Sequence, residues 1–319
     1  MSGSNDHIGE QARRYGTATI GEAVARLREG GLVAVPTETV YGLAADSTNA
    51  AAVAEIYRTK GRPDFNPLIV HAADLDSART LGQFGDLATR FAEALWPGPL
   101  TLVVPRNENC PVAAAVTAGL DTIALRCPAH PVMRELLMES GLFLAAPSAN
   151  RSGGISPTTA DHVERSLGDS APLILDGGAC ETGIESTIVA VDNGNYRILR
   201  PGPVTQAELE QIAGKPPTIA DGGKIEAPGQ LASHYAPEKP LRLNAATVDD
   251  DEYHIGFGPI AGNRNLSPHS DLAEAASLLF AALHDADASG KARIAVAPIP
   301  DNGIGVALND RLRRAATPV

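Results

Sequence analysis

The chain has 319 residues, 44% hydrophobic and 20% charged, a composition that can bury two cores and that excludes a disordered tail. Its net charge of −12 excludes bulk attraction to nucleic acid or an anionic membrane, so an anion site has to be a local pocket of cations. Cys110, Cys127 and Cys180 are too few and too scattered for a disulfide framework or a paired-cysteine metal knuckle, and a reducing, cytoplasmic setting is expected.

Residues 1–15 read as a polar, flexible leader without the apolar stretch of a secretion signal. No run reaches the roughly 18 apolar residues of a membrane span. Hydrophobic period and Gly/Pro punctuation predict strands over 32–36, 67–71, 100–105, 122–126, 142–146, 172–175, 187–191 and 196–199. Helical patterns fall between several of them, over 50–59, 86–95, 131–139 and 159–167. The last two strands are joined by Asp192-Asn193-Gly194-Asn195, a hairpin turn with no room for a crossover helix, so a mixed sheet is expected. A helix over 205–213 opens on a capping box, Thr205 with Glu208. The Gly- and Pro-rich stretch that follows reads as an irregular connector. Past residue 240, strand 253–257, helix 271–284, strand 293–297 and helix 306–315 predict a small βαβα unit.

Several constellations sit at element ends. Thr37, Glu38 and Thr39 follow a strand at the edge where open α/β sheets place ligands, though a plain polar turn reads equally well. Lys60 and Arg62 fall at a helix C-terminus, where the dipole alone favours cations; a guanidinium fixed by the next proline also suits a phosphate. Arg62 at such an element end is expected to matter for turnover and little for stability. Arg126 and Arg200 end strands and are expected at the sheet's edge. The run 146–158, APSANRSGGISPT, sets Ser148, Asn150, Ser152 and Ser156 around a double glycine, a place for backbone amides and hydroxyls to meet an anion. Ser186 and Thr187 open another strand. There is no Walker loop, since DGGK at 221–224 lacks the spacing, and no Gly-x-Ser-x-Gly elbow. Histidine and cysteine spacings indicate no protein-built metal site.

In this order, PTETVYGL, KGRPDFNPLIVH, WPGPLTLV, DTIALRCP, APSANRSGGISPT, GIESTIV and ILRPG resemble the YrdC-type nucleotidyltransferases over residues 30–203. PGQLASHYAP and GIGVALNDRLRRAA are similar to the linker and second domain of that family's long form, the two-domain threonylcarbamoyl-AMP synthases. The resemblance implies a twisted mixed α/β sheet with a concave cavity over 16–213, a linker or lid over 214–240, and a smaller Rossmann-like domain over 241–319. It implies condensation of L-threonine, bicarbonate or CO2 and ATP into threonylcarbamoyl-adenylate and pyrophosphate, the first step of the tRNA modification t6A37. Magnesium would arrive with ATP, and the product would pass to a tRNA threonylcarbamoyl transferase complex.

By the same resemblance, Lys60 and Arg62 face the triphosphate as the catalytic cations. Asn66, Thr122, Ser148, Asn150, Ser156 and Arg200 complete the ATP site, with Tyr235 over the nucleotide. Thr37, His71, Arg126, Ala146 and Ser186 hold threonine. Ser233 stands before His234 where a basic residue is expected. Two alternatives stay open: a double-stranded RNA or tRNA-binding module with weak tRNA contact, and another carbamoyl-adenylating enzyme of the same fold. A hydrogenase-maturation carbamoyltransferase is disfavoured, because its Cys-rich zinc fingers and acylphosphatase region are missing.

Overall fold

The computed structural model describes residues 14–218 and 234–317. Residues 1–13 of the leader, the DGGK run and Ser233 lie outside the described residues. Among the described residues, the main sheet has nine strands in the spatial order Asn195–Arg200, Thr187–Asp192, Leu100–Pro105, Thr122–Arg126, Ile69–His71, Leu144–Ala145, Gly42–Asp46, Val33–Val35, Leu173–Ile174. Parallel and antiparallel neighbours alternate irregularly, so the sheet is mixed as its hairpin signal predicts. That hairpin turns on Asn193 and Gly194, both at positive φ (48° and 73°), which a two-residue turn between twisted strands requires.

Strand Gly42–Asp46 was not anticipated: the run 35–46 reads as a ligand-edge or polar turn, yet its second half pairs antiparallel with Val33–Val35 and with Leu144–Ala145. Helices Ile20–Arg28, Leu75–Arg79 and Ala114–Thr117 were also unforeseen. The first is capped by a box, Thr19 with Glu22, in a stretch too close to the leader's polar residues to stand out.

The period of 2 along each strand divides the sheet's faces. Leu100, Leu102 and Val104 point to the helix-covered side and join the largest core with Phe91, Leu125 and Val189. Their neighbours Val103, Ala124, Ile188, Ala190 and Ile69 face the other way and form a small separate cluster on the concave side. The cavity opens on that face.

Residues 241–315 form a second sheet of four parallel strands, in the order Leu241–Arg242, Arg293–Val296, Glu252–Gly256, Arg264–Asn265, with helices Leu272–Ala288 and Gly305–Ala315 against it. Its core takes in Val40, Ile155 and Ile184 from the rim of the first sheet, together with Tyr235 of the linker. The two units therefore share one buried seam. At Gly183 (φ 74°) a Cβ would come within 2.5 Å of the backbone of Ala276 and Ser277, so only glycine lets this loop lie on the long helix. His162 and His284 stack across the same seam, ring centroids 3.9 Å apart.

Candidate active site

The basic knuckle is built by a helix stop. Helix Ala50–Lys60 ends at Gly61 in the left-handed region (φ 60°), and the Arg62 amide folds back onto the Tyr57 carbonyl at 3.0 Å. Arg62 is buried and donates from Nε to the Asn66 carbonyl (3.3 Å) and from Nη2 to the Pro67 carbonyl (3.0 Å). Its Nη1 has no acceptor among the described residues and the side chain borders the cavity. These two bonds give Arg62 a structural part as well as a place on the cavity. Burial pulls its pKa down to about 10, still protonated at neutral pH.

Lys60 does not border the cavity directly. Its ammonium donates to the carbonyls of Ser148 (2.6 Å) and Asn150 (2.5 Å), pinning the serine-rich loop to the knuckle. Burial, and then the nearby Arg62, lower its pKa well below the ordinary lysine value.

Arg126 and His71 meet in register where two parallel strands end. Arg126 belongs to an interior strand and is 4% exposed, not a residue of the sheet's edge. Its Nη2 reaches Glu38 Oε1 at 2.5 Å, its Nη1 reaches Thr39 Oγ1 at 2.9 Å, and its Nε reaches the Gly98 carbonyl. Burial opposes ionisation of Glu38, but the Arg126 charge and the Ala129 amide hold its pKa below the usual carboxylate range. Thr37 accepts from the Thr39 and Val40 amides and donates to the Val40 carbonyl, which locks this turn. His71 is driven down to about 3 by burial and by Arg126, so the imidazole is neutral at neutral pH.

On the facing wall, Arg200 is also buried although its strand is an edge strand; Nε and Nη2 donate to the Ser186 carbonyl at 3.1 and 3.0 Å. Ser186 Oγ shares a hydrogen bond with Thr101 Oγ1. Glu185, one residue before, accepts from Ser156 Oγ at 2.5 Å and from Arg311 Nε at 2.8 Å.

The linker closes the top. Tyr235 is 1% exposed and His234 8%, and together they leave about 50 Å³ of open space beneath them. That holds a few waters and is far below the roughly 300–1,000 Å³ of ordinary ligand sites. Burial, then the charges of Arg62, Lys60, Arg200 and Arg311, push the His234 pKa well below normal. Buried atoms without a good hydrogen-bond partner include three on residues that line this space, His71 Nδ1, His234 Nδ1 and Tyr235 Oη, and two behind it, Asn66 Oδ1 and Asn150 Oδ1. Each such atom is costly to leave unpaired, and a polar ligand is the ordinary remedy.

Of the residues singled out in the sequence, Thr37, Arg62, His71, Arg126, Ala146, Ser148, Ser186, Arg200 and Tyr235 border this cavity. Lys60, Asn66, Asn150 and Ser156 stand one layer behind it. Thr122 does not border the enclosed space: it pairs with Pro105 and lies two residues before Ala124, the partner of Ile69, four positions along the strand from Arg126. Glu185 and Arg311 were not singled out. Arg311 carried a signal, because Ala307, Leu308, Leu312 and Ala315 form an apolar stripe and Arg311 falls on it.

These walls define an α/β protein whose cavity suits a polyanion beside a small polar group. The family described as Telomere recombination (Sua5_yciO_yrdC) matches residues 25–202, and Threonylcarbamoyl-AMP synthase, C-terminal domain, matches 204–317. The chain belongs to the Sua5–YciO–YrdC family, in its two-domain form. It is 38% identical to a Bacillus subtilis protein named threonylcarbamoyl-AMP synthase, over 93% of this chain and 92% of that one. A Pyrococcus abyssi protein of the same name is 36% identical, over 92% and 93%. The crystal structure of Pyrococcus abyssi Sua5 complexed with L-threonine superposes with a TM-score of 0.85 at 36% identity, covering 93% of this chain and 94% of that one. Among the described residues no helix is long and apolar enough to cross a membrane.

Proposed function

We propose that this chain is a threonylcarbamoyl-AMP synthase, condensing L-threonine, bicarbonate or CO2 and ATP into threonylcarbamoyl-adenylate with release of pyrophosphate. The observation that carries the reading is the convergence of Arg62, Arg126 and Arg200 on one cavity, whose lining residues His71, His234 and Tyr235 each keep a buried polar atom unpartnered, in a protein of net charge −12. The relatives' shared name gives the reaction.

In this reading threonine sits between Arg126, His71, Thr37, Ser186 and the Ala146 backbone. Its amine captures CO2 as a carbamate, and a carbamate oxygen attacks the α-phosphorus and expels pyrophosphate. No protein nucleophile is needed. Neutral His71 takes or gives a hydrogen bond without adding charge next to Arg126. Arg62 and Arg200 meet the charge that grows on the leaving group, and holding the reactants together supplies the rest, with effective molarities of roughly 10⁵–10⁸ M for well-oriented partners. Lys60 fixes the serine loop that carries Ser148 and Asn150.

Magnesium belongs to the substrate, borne on the ATP phosphates. The carboxylates nearest the cavity are already engaged, Glu38 by Arg126 and Glu185 by Ser156 and Arg311, which suits a metal that brings its own phosphate ligands. Because Tyr235 and His234 fill the cavity, these two side chains move aside for ATP to enter and return over it. The adenylate then passes to a tRNA threonylcarbamoyl transferase, in the cytoplasm, for t6A37 formation.

The test is pyrophosphate release from MgATP with L-threonine and bicarbonate supplied separately and together. Release is expected only when both are present. ATP turnover indifferent to threonine would overturn the reading.

A further inference from the structure

The ring that closes the cavity is held from behind by a residue of the other domain. Arg311, on helix Gly305–Ala315, is fully buried, and its guanidinium carbon lies 5.3 Å from the centroid of the Tyr235 ring. The same group donates from Nε to Glu185 Oε2 (2.8 Å), from Nη1 to Asp310 Oδ2 (2.7 Å) and from Nη2 to the Pro201 carbonyl (3.0 Å). Glu185 in turn accepts from Ser156 at the edge of the serine loop. One side chain of the second domain thus touches the linker, the cavity wall and the partner of that loop.

We infer that Arg311 is a positioning residue for the reaction proposed above: a latch that holds Tyr235 and Glu185 in the closed site and makes the second domain part of the lid. The inference rests on that functional reading. A buried ion pair is often no more stabilising than apolar residues of the same size, so stability alone is a weak reason for a charge on this helix's apolar stripe. Arginine combines two grips that lysine cannot make at once, a planar face for the ring and fixed in-plane donors for Glu185, Asp310 and the Pro201 carbonyl. Lifting Tyr235 out of the cavity breaks the first grip, so Arg311 sets how long the site stays shut. A weaker latch makes ATP access no harder and shortens the time spent closed around the reactants.

The test uses full-length Arg311→Lys, Tyr235→Ala and the double variant. It reads steady-state pyrophosphate release, thermal unfolding, and amide exchange over 234–236, where the Ala236 amide bonds the Gly153 carbonyl at 2.8 Å. For Arg311→Lys we expect kcat to fall about tenfold with KM for ATP unchanged or lower, a split that separates a closing step from loss of a ligand contact. Exchange over 234–236 should quicken, and the double variant should be no slower than Tyr235→Ala alone, since coupled residues do not add. An unchanged kcat, a raised KM for ATP, multiplicative losses in the double variant, or a lowered Tm with kcat intact each overturns the latch. If Arg311→Lys does not fold, Arg311→Met paired with Glu185→Gln removes both charges, and unaltered exchange over 234–236 in that protein also overturns it. A wild-type protein that ignores threonine sinks the functional reading instead, and the exchange measurement still decides the latch.

Discussion

The guanidinium of Arg126 and the carboxylate of Glu38 meet at 2.5 Å with their side chains only 4% and 10% exposed. Little of either side chain is open to water. Removing one partner strands the other, at a cost of about 3–5 kcal/mol. Glu38→Gln is therefore expected to lower thermal stability markedly and to raise the KM for threonine, because the arginine that walls that end of the cavity loses its anchor. Denaturant unfolding and threonine titration check this, and a variant of wild-type stability would show that the pair is solvated.

Arg62 plays two parts that separate by substitution. Arg62→Ala removes the bonds to the Asn66 and Pro67 carbonyls as well as the cavity-facing Nη1. We expect activity to fall by at least about a hundredfold and stability by roughly 1–3 kcal/mol, the cost of leaving buried acceptors unpaired. Arg62→Lys keeps the charge and should recover more stability than activity, since an ammonium cannot reproduce the fork. Equal recovery of both would assign Arg62 a structural role only.

Acid should loosen the protein before its carboxylates titrate. His71 and His162 both have pKa values lowered to about 3, chiefly by burial, and those of His234 and His284 are lowered too. A histidine depressed in the folded state takes up its proton more readily when unfolded. Its contribution is present above the unfolded value near 6.5 and is lost as pH falls toward the folded value. Each such group changes stability by up to about 1.4 kcal/mol per pH unit in that window. The Tm is expected to drop steadily from pH 6.5 to 4.5, and His162→Gln should flatten part of the slope. A level Tm over that range would contradict the burial of these rings.

Thiol chemistry should divide the three cysteines. Burial raises Cys127 to about 12 and pushes Cys180 up as well, and both are almost fully covered, whereas Cys110 is half-buried. A disulfide reagent added to native protein at pH 8 is expected to modify Cys110 alone, with the other two reacting on unfolding. Rapid labelling of Cys127, beside Arg126, would mean that this wall is open.

Removal of residues 205–319 takes away Tyr235 and Arg311 and bares Val40, Ile155 and Ile184, which belong to the shared core. The truncated chain should lose both turnover and solubility. Retention of full activity, measured as threonine-dependent pyrophosphate release, would leave the linker and second domain without a part in the reaction.

Much of this was legible because local chemistry and fold agree. Apolar runs closed by Pro or Gly marked the strands, and the Asn193-Gly194 turn announced the antiparallel edge. Gly42–Asp46 escaped because the small residues of GLAAD lack the β-branched and aromatic signal of a strand, and pairing on both sides makes up the deficit. Cations at element ends gave the site its outline. Where each would point was less accessible: Lys60 turns to carbonyls contributed 88 and 90 residues later, and Arg126 is fixed by Glu38 across 88 residues. Thr122 was placed by motif and does not border the enclosed space. Glu185 and Arg311 stand 126 residues apart, so only the packed molecule makes them a pair.

Gly183 sets the width of the seam between the two halves. Its hydrogen stands where a methyl group would overlap the backbone of the long helix, so a single carbon is the tolerance of the whole joint. A wedge at that point would tilt the second unit away from the first and carry Arg311 off the aromatic ring. The fit of the roof over the hollow is thus governed by an atom that is missing, three residues before Ser186 on the cavity wall.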